Sequence, residues 1–171
     1  PKWLPQFSDG ETVYSTLPKH SSIHYPVLIP NRQGLERALN VQVKEIAILS
    51  AASETFSQKN TRCSIQESFI KNQEILRLAI QNGLKVRSYL SCSLGCPYEG
   101  SVAPKTVVQI AKQLINMGCH EISIADTIGV STPKQAQCLI QMLAEEIPID
   151  QLAVHFHDTF GQGLANIYAC L

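Results

Sequence analysis

The sequence predicts an α/β protein, an arc of about five consecutive βα units from a (β/α)8 barrel. Three observations predict it. Short runs of apolar and β-branched residues alternate with longer helical patterns along most of the 171 residues, and successive strand–helix units demand a parallel sheet with helical crossovers. The strand runs are mixed apolar, as strands covered on both faces are. Polar residues gather just past the C-terminal end of each run: Asn31, Ser53 and Glu54, Ser91 and Cys92, Asp126 and Thr127, then His155, His157 and Asp158. That is the end where barrels build their chemistry. An open doubly wound sheet competes, but no G-x-G-x-x-G follows any strand, which argues against a dinucleotide site.

Residues 25–30 (YPVLIP) form the first expected strand, followed by a helix over about 31–41. Residues 44–53 form the second, trailed by a polar loop holding Glu54, Gln58, Lys59 and Asn60. Ser64 then opens a long helix, with Glu67 three residues later as a capping box. Ile65, Phe69, Ile75, Leu76 and Ala79 supply its buried face. Residues 84–93 are the third strand, and a Gly/Pro loop over 95–100 precedes a helix from near Pro104. Residues 120–127 are the fourth strand, before a helix over 133–146. Residues 151–159 are the fifth, before a helix from about Gly161 to Leu171. Pro104 and Pro133 fall where a first helical turn tolerates the missing N–H.

A closed barrel of this type takes eight strands and about 250 residues. The chain is therefore expected to be one partial barrel domain over 1–171, cropped at both ends, with two open sheet edges that invite association. It starts at Pro1 and not at a methionine, so a processed or cropped start is expected, and a targeting segment would be lost with it. Lys plus Arg and Asp plus Glu both number 14, so no global field points to nucleic acid or a membrane surface. No apolar run approaches the roughly 18 residues of a membrane span. The six cysteines, Cys63, Cys92, Cys96, Cys119, Cys138 and Cys170, lack the spacing of a small secreted scaffold. Reduced thiols in a reducing compartment are expected, in the bacterial cytoplasm or the mitochondrial matrix.

His155 and His157 are the sharpest chemical feature. Residues two apart on a strand point to one side, so both imidazoles project together while Phe156 turns into the helical layer. Two imidazoles on one face make half of a metal site; one core and one exposed histidine is the alternative. Alternation turns Asp158 away from them, which favours support of the site over ligation. Asp126 lies where a ligand, an acid–base group or a turn cap would lie, and regular pairing sets Ser123 and Asp126 on opposite faces. Cys92 and Cys96 do not have C-x-x-C spacing, so a zinc site is disfavoured. Lys59 and Arg87 are candidates to meet a carboxylate or phosphate, with solvation the default for Lys59.

The runs VHFHDTFGQGLAN (154–166), EISIADTIGV (121–130), SCSLGCPYEG (91–100) and AASETFSQKN (51–60) resemble the hydroxymethylglutaryl-CoA lyase family, over essentially the whole chain. H-x-H-D-T is shared with a wider group of metal-dependent aldolase and lyase barrels, including isopropylmalate and citramalate synthases; the other segments are narrower. The resemblance implies a (β/α)8 barrel that cleaves 3-hydroxy-3-methylglutaryl-CoA to acetyl-CoA and acetoacetate with Mg²⁺ or Mn²⁺, acting on a small acyl-CoA substrate as a full-length homodimer. It implies that His155 and His157 ligate the metal, that Asp126 sits beside the reacting centre and handles a proton, and that Asn60, Tyr89 and Ser123 lie around the acyl-CoA. Phe156 stands where the family has a small residue, and Ala125 where it has glycine. The family's early Arg–Asp pair, its late glycine-rich loop with a catalytic cysteine, and a following asparagine ligand have no counterpart in this chain. Two other readings stay open: a Claisen-type synthase, and a non-catalytic partial barrel that associates with a complete subunit.

Overall fold

A computed structural model describes residue 5, residues 8–18, residue 20 and residues 22–171. Five parallel strands, β1 (Val27–Leu28), β2 (Glu45–Ala51), β3 (Lys85–Ser91), β4 (Glu121–Asp126) and β5 (Leu152–Phe156), form one sheet in the order β1-β2-β3-β4-β5. The helices are α1 (Gly10–Thr16), α2 (Arg32–Asn40), α3 (Glu54–Thr61), α4 (Ile65–Gln81), α5 (Pro104–Asn116), α6 (Pro133–Ala144) and α7 (Gly163–Cys170). Among the described residues, no helix is long and apolar enough to cross a membrane. The five βα units expected from the alternation are all present, in an order that places sequence neighbours side by side.

Strand periodicity decides what each face meets. Val86, Ser88 and Leu90 of β3 are buried, whereas Lys85, Arg87, Tyr89 and Ser91 are more open. The buried set joins Ile46 and Ile48 of β2 and Ile122 and Ile124 of β4 in a core with Ile75, Leu76 and Ala79 of α4, Val107, Ala111 and Leu114 of α5, and Leu139 and Leu143 of α6. Each such buried aliphatic stabilises the fold by roughly 1.5–3 kcal/mol over exposure. Ile65 and Phe69 pack on this core only in part, while Asn72 takes a buried place in the same helix. Its amide explains that burial: Asn72 Nδ2 donates to the Leu49 carbonyl at 3.0 Å and to Ser50 Oγ at 3.3 Å.

Helix starts follow their caps. Asn31 Oδ1 accepts from Gly34 N at 2.9 Å. Ser64 and Glu67 form the expected reciprocal capping box, and Thr132 and Gln135 form a second one at α6. Pro104 and Pro133 open α5 and α6. Thr132→Ala removes the side-chain acceptor for Gln135 N and is expected to cost about 1 kcal/mol. A fall in the urea midpoint at constant slope measures it; an unchanged midpoint would show that the box does not hold α6.

Two elements depart from expectation. The polar stretch after β2 is the helix α3 and not a loop: Ser53 Oγ accepts from Phe56 N at 3.1 Å and starts it. Arg62 ends it in a left-handed conformation with φ 56°. The helix α1 carries no buried residue, so no apolar stripe marks it in the sequence.

Candidate active site

The face opposite the helices carries four of the candidate residues, Tyr89, Ser123, His155 and His157, and β-sheet register assembles them. Tyr89 pairs with Ser123 across β3 and β4, and Ser123 with Ala153 across β4 and β5. His155 is two residues further along β5, so it shares their face. The Tyr89 and His155 rings meet edge to face with centroids 5.6 Å apart. His157 follows at the strand end, its ring centroid 5.2 Å from that of His155. The two imidazole Nε2 atoms lie 3.3 Å apart, and both histidines are exposed. The bare strand period therefore places both rings on one side, as expected, with Phe156 partly buried on the other.

Asp126 occupies the opposite face, in register with Phe156 and fully buried. Its Oδ1 accepts from Val130 N at 3.2 Å. Its Oδ2 accepts from Ser131 N at 2.9 Å and from Ser131 Oγ at 2.6 Å. This is the turn-bracing alternative: the carboxylate organises the loop between β4 and α6. The tie to the histidines runs through the backbone, where His157 N donates to the Asp126 carbonyl at 3.3 Å. Ser123 is buried on the face away from that carboxylate, as strand alternation requires.

Two residues of this loop system carry little signal in the sequence. Ser131 and Asn166 are both buried, and Asn166 Nδ2 donates to the Ser131 carbonyl at 3.1 Å and to Ser131 Oγ at 3.0 Å. The result is a chain of hydrogen bonds from α7 through Ser131 to Asp126. A polar residue at an otherwise apolar helix position is the one clue to Asn166. Asp158 likewise supports and does not face the histidines: its Oδ1 accepts from Gly163 N at 2.7 Å, at the start of α7.

The remaining candidates lie apart. Asn60 sits on α3 and lines a small cavity with Ser50, Phe56, Ser57 and Ser68, separate from the histidine pair. Arg87 is committed to Glu121 near the N-terminal ends of β3 and β4, and its guanidinium carbon lies 6.0 Å from the centre of the Tyr89 ring. Lys59 is exposed, with Nζ 4.9 Å from the centre of the Tyr98 ring. All six cysteines are free thiols.

The 95–100 loop closes onto α3 through Glu99, whose Oε1 accepts from Thr55 N at 2.6 Å. Hydrogen bonds from Thr55, through its side chain and its amide, hold the Glu99 carboxyl below its ordinary value. A lowered folded-state value means stability that is present above the unfolded carboxylate range and lost as pH falls through the folded value. Glu99→Gln is therefore expected to flatten the acid limb of the stability–pH profile, read as thermal midpoint from neutral pH downward. Identical acid limbs for the two proteins would remove Glu99 as a contributor.

Among the described residues, no group of three or more His, Cys, Asp or Glu is placed to hold a metal ion. The spacing of the histidine pair can be set against that of a metal site. Two imidazole nitrogens on adjacent corners of an octahedral cation, each about 2.1 Å from it, stand about 3 Å apart. The observed 3.3 Å is close to that spacing.

Comparison with known proteins places the chain in a family. A mitochondrial hydroxymethylglutaryl-CoA lyase of Rattus norvegicus is 47% identical over 171 residues, which are 100% of this chain and 53% of that protein. A 3-hydroxy-3-isohexenylglutaryl-CoA/hydroxy-methylglutaryl-CoA lyase of Pseudomonas aeruginosa is 47% identical over 100% of this chain and 57% of its own length. The crystal structure of hydroxymethylglutaryl-CoA lyase from Pseudomonas aeruginosa superposes with a TM-score of 0.96 at 47% identity, covering 99% of this chain and 56% of that one. The chain thus spans about half the length of the curated relatives it matches, and its five-stranded sheet corresponds to part of their barrel. The HMGL-like family model matches residues 3–171, and the chain belongs to that family.

Proposed function

We propose that the protein containing this chain is a hydroxymethylglutaryl-CoA lyase, cleaving 3-hydroxy-3-methylglutaryl-CoA to acetyl-CoA and acetoacetate with a divalent cation, Mg²⁺ or Mn²⁺. The observation that carries the reading is the pair of Nε2 atoms 3.3 Å apart at the C-terminal end of β5, in a chain 47% identical to proteins named for that activity. The cation, when bound by His155, His157 and ligands outside this chain, supplies Lewis acidity and a template for the substrate's hydroxyl and carboxylate oxygens.

This chain's own residues then act by placement. Tyr89 packs its ring against His155, which limits the orientations open to the imidazole. Tyr89 and Ser123 line that face beside the histidines, where an acyl-CoA lies, and Asn60 is assigned to the outer reach of the same ligand. In the cleavage, the 3-hydroxyl loses its proton, the C2–C3 bond breaks, and its electron pair forms a thioester enolate that must be protonated. The family resemblance assigns proton handling to Asp126. The carboxylate here is enclosed by three loop donors, so the geometry supports a positioning role, with proton transfer requiring the loop to release it.

The test is turnover of hydroxymethylglutaryl-CoA with Mg²⁺, measured on this chain and on its gene extended in both directions. Turnover by the extended protein supports the reading. Silence from the extended protein, with turnover of acetyl-CoA and a 2-oxoacid in its place, would transfer the assignment to a Claisen-type synthase.

A further inference from the structure

His155 lies inside the ladder of β5, in register with Ala125 of β4, but His157 lies one residue beyond the end of that strand. Sheet pairing therefore fixes the backbone of one histidine and leaves the other to be held by different contacts. One long bond ties His157 to β4, from its amide to the Asp126 carbonyl at 3.3 Å. That carbonyl also accepts from Gly129 N at 3.2 Å, so the turn after β4 and the end of β5 share one acceptor. The two segments are in close contact: a Cβ placed on Gly129 would stand 2.8 Å from the His157 carbonyl oxygen. A displacement of residues 126–131 is thus passed directly to His157.

The helix α7 secures that turn, and it does so through a polar side chain. The residues it buries are Gly163 and Asn166, while Leu164 and Tyr168 are exposed. Asn166 is 1% exposed, and its Nδ2 donates to the Ser131 carbonyl at 3.1 Å and to Ser131 Oγ at 3.0 Å. A hydroxyl that accepts there still has its own hydrogen to give, and Ser131 Oγ donates it to Asp126 Oδ2 at 2.6 Å. Each bond in the chain therefore has a defined donor, from α7 inward to the turn. The start of α7 grips the residue after His157 as well, where Gly163 N donates to Asp158 Oδ1 at 2.7 Å. Packing alone does not account for an amide at position 166. Its Oδ1 is buried with no hydrogen-bond partner among the described residues, and an unsatisfied buried acceptor costs about 1–3 kcal/mol. An apolar side chain of that size would avoid the cost; the two donated bonds are what the amide alone supplies.

We infer that Asn166 is a positioning residue for His157, acting through Ser131 and the turn after β4 to set where the second imidazole of the pair stands. The inference rests on the reading of His155 and His157 as cation ligands. Two imidazole nitrogens 3.3 Å apart hold one cation together only while that separation is kept. Because the ladder fixes the backbone of His155, the separation depends on the segment that Asn166 secures. Residues that orient metal ligands from outside change affinity by about 10–100-fold when removed, and one at the far end of a hydrogen-bond chain belongs at the low end of that range.

The experiment uses the protein extended in both directions and two variants, Asn166→Ala and the milder Ser131→Ala, which keeps the carbonyl that Asn166 bonds. Folding of both is checked by circular dichroism. Mn²⁺ affinity is measured by electron paramagnetic resonance without substrate, and hydrogen exchange is followed on peptides covering 152–156 and 157–163. Asn166→Ala is expected to weaken Mn²⁺ binding about tenfold, and Ser131→Ala to weaken it less, in the same direction. Exchange should quicken in 157–163 and stay unchanged in 152–156. Unaltered Mn²⁺ affinity in both folded variants would overturn the positioning role and leave the metal reading in place. No Mn²⁺ binding by the unsubstituted protein would overturn the metal reading, and the role of Asn166 with it. Exchange that quickens equally across 152–156 would make Asn166 a general brace of the sheet and would also overturn the assignment. Should Asn166→Ala fail to fold, Ser131→Ala decides on the same readouts.

Discussion

In the full-length protein, His155→Ala is expected to lower hydroxymethylglutaryl-CoA turnover by about a thousandfold or more, with a parallel loss of divalent-cation affinity. A Lewis-acid contribution is worth several kcal/mol, and each 1.36 kcal/mol corresponds to about tenfold in rate. Removing one of two imidazoles whose Nε2 atoms stand 3.3 Å apart leaves a single imidazole on that corner. Binding of Mn²⁺, followed by its electron paramagnetic resonance signal in the absence of substrate, separates loss of ligation from loss of chemistry. Wild-type turnover in the variant would sink the metal assignment of β5. Tyr89→Phe should leave cation affinity nearly unchanged, because its ring still packs on His155.

Gly129→Ala is expected to destabilise the fold by roughly 2–5 kcal/mol, combining a left-handed backbone penalty of about 1–2 with overpacking of about 1–3. Gly129 has φ +65°, and a Cβ there would lie 2.6 Å from Thr159 Oγ1 and 2.8 Å from the His157 carbonyl oxygen. The second contact is backbone, which cannot swing aside as a flexible side chain does. The loop braced by Asp126 would have to part from the segment that carries His157. Gly83→Ala provides the comparison: its φ is +73°, but nothing lies within 4 Å of the added atom, so the backbone penalty of about 1–2 kcal/mol stands alone. Equal denaturant midpoints for the two variants would show that the contact at Gly129 relaxes at no cost.

The large elements were legible because their periodicities are strict. Alternation at residues 152–157 placed both histidine rings on one side with no further information, and the Ser64 and Glu67 box marked the start of α4. The short helix α3 escaped because it buries just Ser57, so no apolar stripe distinguishes it from a polar loop. Its legible trace is the Ser53–Glu54 pair, a cap followed by an acid in the first turn. Asp126 shows the other boundary. Its position at a strand end is readable, but the direction of its carboxylate depends on Ser131 and on Asn166, 35 residues further along from Ser131. Contacts across such separations have no local pattern. The same holds for Arg87, whose partner Glu121 lies on the adjacent strand.

The coincidence of strand order with chain order has a consequence for how the molecule is made. Among the described residues, each strand pairs with the one before it in the chain, and the helices between them pack on the same sheet. Among the described strands, each pairing closes a single crossover, so loop-closure entropy grows by one crossover at a time. Synthesis at about 5–20 residues per second is slow against the formation of such units. The growing sheet therefore offers one fresh edge at a time to the ribosome exit, and a pause after α5 would release a chain in which β1, β2 and β3 are already paired.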